Sequence, residues 1–263
     1  MPDFKVRQSA RNVGSDAEML RQIFARSYEI MDDRGYGYLA GIHGYPLPQY
    51  CEHGNTLFLP WHRAYLNLFE RTLSEINNDF YLPWWDWSAP LDDPSGIPTL
   101  FAVEQSPDGT ANPLQSAPMS GLDQRARELF FRARLSSSID DPRSVRQTGD
   151  PEDLPQADEL EELLDAPTYV DFNARLESYP HNFIHVWVGR SMSAPPSAAF
   201  DPIFWAHHGM VDRLWYLWQL RHPGAQPPAQ IIDAPLAPFR LTVRDVLNVD
   251  DLGYTYAQTE VIA

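Results

Sequence analysis

Apolar residues recur at helical spacing in four stretches of this chain. Met19, Leu20, Ile23, Phe24 and Met31 keep that spacing behind Ser15 and Glu18, which have the Ser-x-x-Glu form of a capping box, so a helix is predicted over 16–31. His62, Tyr65, Leu66, Phe69, Leu73 and Ile76 make the inward stripe of a second, over 61–78. A third fits 168–188 and a fourth 202–221, the latter stopped by Pro223-Gly224. Residues 34–60, rich in Gly, Pro and Tyr, read as loop, and Tyr81-Leu-Pro-Trp-Trp-Asp-Trp87 as an aromatic knot after the second helix. Residues 88–150 have little periodicity and read as a long surface excursion with one short helix near 121–133. The acidic run 152–165 reads as a solvated helix face. Residues 225–263 are Pro-rich, then β-like at Leu241-Thr-Val. The predicted fold is mainly α: a single domain over 1–263, an antiparallel four-helix bundle with long irregular loops and little β.

Composition narrows the function. A net charge of −16 argues against nucleic acid, which needs clustered Lys and Arg, and against anionic membranes. The single cysteine excludes an intrachain disulfide. No apolar run has the length of a signal peptide or a spanning helix, so the expectation is a cytoplasmic protein, with export by a partner left open.

The chemistry lies in eight histidines: 43, 53, 62, 181, 185, 207, 208 and 222. His43 and His53 precede His62 on the second helix. His181 and His185 share one helix face at i, i+4, and His207 and His208 lie on the fourth helix. The context repeats, because Phe58 stands four residues before His62 and Phe204 four before His208. A lone histidine on an apolar stripe is usually a hydrogen-bonded core residue. Six in two parallel contexts are harder to explain as packing, because buried imidazoles without partners are costly and two metal ions would partner them all. Spacing leaves open whether His207 or His208 completes the second set. Three-imidazole sites suit zinc, copper, iron or nickel.

His53-Gly-Asn-Thr-Leu-Phe-Leu-Pro-Trp-His-Arg63, His181-Asn-Phe-Ile-His-Val-Trp-Val-Gly189 and Asp201-Pro-Ile-Phe-Trp-Ala-His-His-Gly-Met-Val-Asp-Arg-Leu-Trp215 resemble the copper-binding signatures of the type-3 copper proteins: tyrosinases, catechol oxidases and molluscan haemocyanins. The resemblance covers 34–87 and 168–220 and no part of 88–150. It implies a dicopper centre, with His43, His53 and His62 on one ion and His181, His185 and His208 on the other. His207 is then left beside the site and His222 on the surface. O2 would be the co-substrate, and a phenol or catechol the molecule oxidised.

The resemblance carries finer expectations. Cys51-Glu-His53 has the spacing at which some relatives join the Cys sulfur covalently to the second histidine, so a Cys51–His53 thioether is expected. Glu177 and Asn182 would hold the water that takes a phenol's proton; the plainer alternatives are a surface salt bridge and a helix cap. Phe58 and Phe204 would wall the coppers from water, and Val186 would stand at the substrate rim. Asp212, Arg213 and Arg63 would form an ion pair tying the two halves. Gly253-Tyr-Thr-Tyr256 resembles the Tyr-x-Tyr motif that closes the family's catalytic core; with seven residues after it, a C-terminal shielding domain is expected to be absent.

The expected activity is oxidation of o-diphenols, and of o-aminophenols, to quinones, with ortho-hydroxylation of monophenols. Set against it are a haemocyanin-like O2 carrier without turnover and a zinc hydrolase. A small phenol is the expected partner and a copper-delivery protein a candidate one. Neither the oligomeric state nor the physiological substrate is legible.

Overall fold

The computed structural model describes residues 4–90 and 93–257. Its elements are a strand β1 (Lys5–Arg7), helices α1 (Asp16–Glu29), α2 (Tyr36–Gly41), α3 (Phe58–Ser74), α4 (Thr99–Ala102), α5 (Gln124–Arg132), α6 (Ala157–Leu164), α7 (Tyr169–Leu176), α8 (Asn182–Val188), α9 (Pro195–Ala198) and α10 (Pro202–Arg221), and a strand β2 (Tyr254–Tyr256). The fold is mainly helical, as the periodicity predicts. No helix among the described residues is long and apolar enough to cross a membrane.

At the centre α3 and α10 pack side by side, with α1 against α3 and α6 against α10 and α7. The seam is aromatic: Phe69 stacks on Trp205 at 3.5 Å between ring centroids, and Tyr65 leans on Trp205 at 4.8 Å. On the predicted stripe of α3, His62, Tyr65, Leu66, Phe69 and Leu73 are all buried. The helix starts at Phe58, inside the stretch expected to be loop, because Pro60 sits in its first turn, where a missing N–H costs nothing. The same stretch also holds α2.

Four further expectations are corrected. Ser15 makes no capping bond; its backbone is already helical. The third predicted helix is not continuous. It breaks into α7, a wide turn over Glu177–His181, and α8, because Pro180 has no N–H to donate and Tyr179 before it is extended at φ −154°, ψ 129°. The described residues of 88–150 are not a surface excursion, since Leu100, Phe101, Leu114, Ala117 and Met119 are buried and Arg146 is ion-paired with Asp201 at 2.5 Å. Such packing comes from scattered side chains and leaves no periodic signal. The β-like Leu241-Thr-Val contributes only a bridge, Pro235 to Thr242. The sheet is instead β1 paired in parallel with β2, Lys5 opposite Tyr254 and Arg7 opposite Tyr256. The acidic face of α6 is solvated as expected, while Leu160, Leu163 and Leu164 anchor its other side.

This sheet closes a buried charge cluster. Asp212 receives Arg63 Nε at 2.5 Å, Arg7 Nη1 at 3.1 Å, and the hydroxyls of Tyr254 and Tyr256, each at 2.6 Å. Arg7 also pairs with Glu70 at 2.8 Å. The two arginines hold the Asp212 carboxyl below the usual carboxylate range against the opposing effect of burial. The predicted Asp212–Arg63 pair is present; Arg213 is not part of it, because its guanidinium turns onto the Trp84 ring, 3.9 Å from the centroid.

Candidate metal centre

Two histidine groups meet between α3, α8 and α10. The candidate ligand atoms of His43, His53 and His62 lie within 4.8 Å of one another, and so do those of His181, His185, His207 and His208. The groups face each other: His62 stacks on His208 at 4.5 Å and 6°, and His53 on His181 at 5.9 Å and 25°.

Four rings are oriented by backbone carbonyls. The Nδ1 of His43 lies 3.0 Å from the Pro195 carbonyl, that of His62 2.8 Å from Phe58, that of His181 3.2 Å from Glu177, and that of His185 2.8 Å from Met192. A carbonyl can only accept, so each Nδ1 carries the proton and each Nε2 is left with a bare lone pair. The Nε2 atoms of His43, His62 and His181 are buried and have no hydrogen-bond partner. His185 Nε2 faces His208 Nε2 at 3.2 Å. Burial and the neighbouring rings oppose protonation, pushing His43 down to about 3 and His185 to about 4. Burial likewise brings His53 to about 4. The result is a cluster of neutral imidazoles with lone pairs converging on shared space. Such a donor set suits a metal ion and is costly to bury without one.

Geometry also separates the adjacent histidines. The ring of His208 touches those of His43, His62 and Phe204, so it faces the opposite trio. His207 stacks on His181 at 5.3 Å and meets Trp87 at 5.2 Å, away from that trio, with both ring nitrogens unpartnered. His222 is not a plain surface residue: half-buried, it stacks on Trp218, and its Nε2 lies 2.9 Å from the Leu164 carbonyl.

The two phenylalanines bridge the halves. Phe58 touches His62 and His181, each at 4.7 Å, while Phe204 touches His208 at 4.3 Å and His43 at 4.9 Å. Both are fully buried, so they seal the inner side of the cluster.

The outer side opens into a cleft of about 550 Å³ whose lining includes His43, His53, His181, His185, Glu177, Asn182 and Val186. Glu177 is no surface ion pair. It is 7% exposed and accepts the Gly54 N–H at 2.5 Å. Burial raises its pKa, and the Gly54 bond works against that. Asn182 is the exposed first residue of α8, and Val186 is 69% exposed at the mouth. Cys51 is half-buried, with Gln49 Nε2 3.4 Å from its sulfur, and burial pushes its thiol up to about 11. Sequence reasoning missed Gln49, Met192, Ser193 and Pro195, which also line the cleft. Met192 and Pro195 act through main-chain carbonyls, which leave no mark in a sequence.

The family model described as the common central domain of tyrosinase matches residues 33–221. A tyrosinase of Streptomyces glaucescens is 34% identical over 203 residues, covering 66% of each chain. Hemocyanin 1 of Megathura crenulata is 29% identical over 283 residues, 95% of this chain but 7% of its own length. The chain thus spans no more than about two thirds of these relatives. The solved tyrosinase of Burkholderia thailandensis at high pH shares the fold, with a TM-score of 0.72 at 23% identity over 97% of this chain and 74% of that one. With its two facing histidine groups and a central-domain match over most of its length, the chain belongs to the tyrosinase family of type-3 copper proteins.

Proposed function

We propose that this protein is a phenol oxidase that uses O2 to convert o-diphenols to quinones and also hydroxylates monophenols at the ortho position. Membership of the family implies a dicopper centre, and the two histidine groups are compatible with it. In this reading His43, His53 and His62 hold one copper and His181, His185 and His208 the other. When bound, the metal pair supplies redox chemistry: each diphenol gives up two electrons and two protons, and one O2 takes those of two diphenols to give two waters.

The observation that carries the proposal is the cleft. At about 550 Å³ it falls within the size range of small-molecule sites, and it reaches the histidines from solvent. O2 alone needs far less room.

The remaining roles belong to side chains. A monophenol, with a pKa near 10, must lose its proton to react. Glu177, its pKa raised by burial, is the base, acting through a water polarised by the Asn182 amide; both line the cleft. Phe58 and Phe204 keep water from the inner side. Val186 forms an apolar edge against which the substrate ring packs. Cys51 is joined to His53 in the mature protein, fixing that ring, since among the described residues no backbone carbonyl orients it as in His43 and His62.

The O2-carrier reading is supported by the hemocyanin match over 95% of this chain. Copper-loaded protein in air with catechol separates the two. Quinone absorbance growing over many turnovers supports the oxidase. No colour from protein that has bound both coppers supports the carrier.

A further inference from the structure

Only two non-glycine residues among those described have positive φ: Arg134 at 60° and Arg190 at 49°. Both line one surface pocket of about 510 Å³, with Phe131, Arg132, Ser137 and Val145 among its other walls. At such angles the side chain crowds its own backbone, and glycine is the residue normally found there. Arg134 follows the C-cap of α5. Leu135 N–H donates to the Phe130 carbonyl at 2.8 Å, and Arg134 N–H to Phe131 at 3.0 Å, the Schellman pattern whose left-handed position glycine usually fills. These bonds cap the Phe130 and Phe131 carbonyls at the helix end.

Among the described residues, the guanidinium groups of Arg134 and Arg190 have no hydrogen-bond or ion-pair partner. Arg132 makes only a loose contact with Glu128, at 3.9 Å. In a chain of 36 acidic and 20 basic residues, unpartnered arginines in one pocket run against the overall charge. The planar guanidinium fork matches phosphate oxygens in pairs.

We infer that this pocket is a binding site for a small phosphate-type oxyanion, held by Arg134 and Arg190 with Arg132 at its edge. One turn links the site to the metal centre. Arg190 opens the turn Arg190–Ser193, whose Met192 carbonyl orients His185. Val145, on the pocket wall, is bonded to Ser191 of that turn in both directions, at 2.8 and 3.1 Å.

Calorimetric titration of the copper-loaded protein with inorganic phosphate, against chloride at equal ionic strength, tests the site. Saturable binding is expected in the parent. Loss of at least about tenfold in affinity is expected in the double variant Arg134→Gln/Arg190→Gln. Arg134→Gly gives a second reading that does not depend on tolerance of glutamine. Released from the crowded backbone, it melts higher than the parent in phosphate-free buffer and binds phosphate more weakly. No saturable phosphate binding by the parent, or unchanged affinity in the variants, overturns the assignment.

Discussion

The Glu177 carboxylate accepts the Gly54 N–H at 2.5 Å, so a residue of the second histidine segment grips the loop that carries His53 of the first. The backbone carbonyl of the same Glu177 orients His181. One residue thus serves both halves of the centre, and its carboxyl still lines the cleft. Glu177→Gln keeps an oxygen for Gly54 and removes the base. It is expected to lower the monophenol rate by roughly 10²–10³ and the diphenol rate by far less. Paired rates on tyrosine-like and catechol-like substrates decide it, and equal loss on both removes Glu177 from proton transfer.

Substrate charge is a second consequence of the cleft. Among the described residues its lining holds one carboxylate, Glu177, and no Lys or Arg. A phenol with an ammonium group is favoured over one with a carboxylate, so tyramine should show a higher kcat/KM than 4-hydroxyphenylpropionate. The difference should shrink as salt is added. A preference for the acid contradicts this account.

Asp212 is the centre of a buried network in which Arg63 and Arg7 both lean on one carboxylate. Asp212→Ala takes the carboxylate from the buried Arg63 and leaves Arg7 to Glu70 alone, at a cost of about 3–5 kcal/mol. The expected fall in melting temperature is roughly 10 °C. Because Arg63 directly follows His62, copper is also retained less well. A variant that melts within a degree or two of the parent would show that the cluster adds little to stability.

Acid should destabilise the metal-free protein. His43 in the fold sits at about 3 and His185 at about 4, both depressed by burial from the ordinary 6.5. An unfolded chain therefore binds more protons than the folded one below pH 6.5. The stability is complete above that value and is lost as pH falls toward 4 and then 3, on the order of 1 kcal/mol per pH unit for each ring. Urea titrations of copper-free protein across this range give the slope; a flat profile shows that these rings are not buried neutral.

The proposed Cys51–His53 thioether would carry a mass signature. Joining the Cys51 sulfur to a carbon of the His53 ring would remove two hydrogen atoms, a two-electron oxidation for which bound copper with O2 would supply the oxidant. Intact mass spectrometry should find the mature protein lighter by two hydrogens and place the change on a peptide containing both residues. Cys51→Ser should keep its full calculated mass. A parent at full mass with a freely alkylated thiol rules out the bond.

The mainly helical class, the two histidine-bearing segments and the family were legible in the sequence, because each rests on residues close together in the chain. The stripe of α3 and the repeated Phe-x-x-x-His pattern are local facts that periodicity reads directly. Tertiary structure alone decided which residues meet across long separations. Arg7 reaches Asp212 through a strand too short to announce itself, and the carbonyls of Pro195 and Met192 set the tautomers of His43 and His185 without any side-chain signal. The break at Pro180 turned one predicted helix into two, and the packing of 88–150 was hidden because its buried residues follow no period. Spacing weighed His207 and His208 equally, and only packing turned the His208 ring toward the opposite trio. A local pattern fixes which face of a segment seeks the core; which partner it finds there depends on chain closure and packing, which are properties of the whole fold.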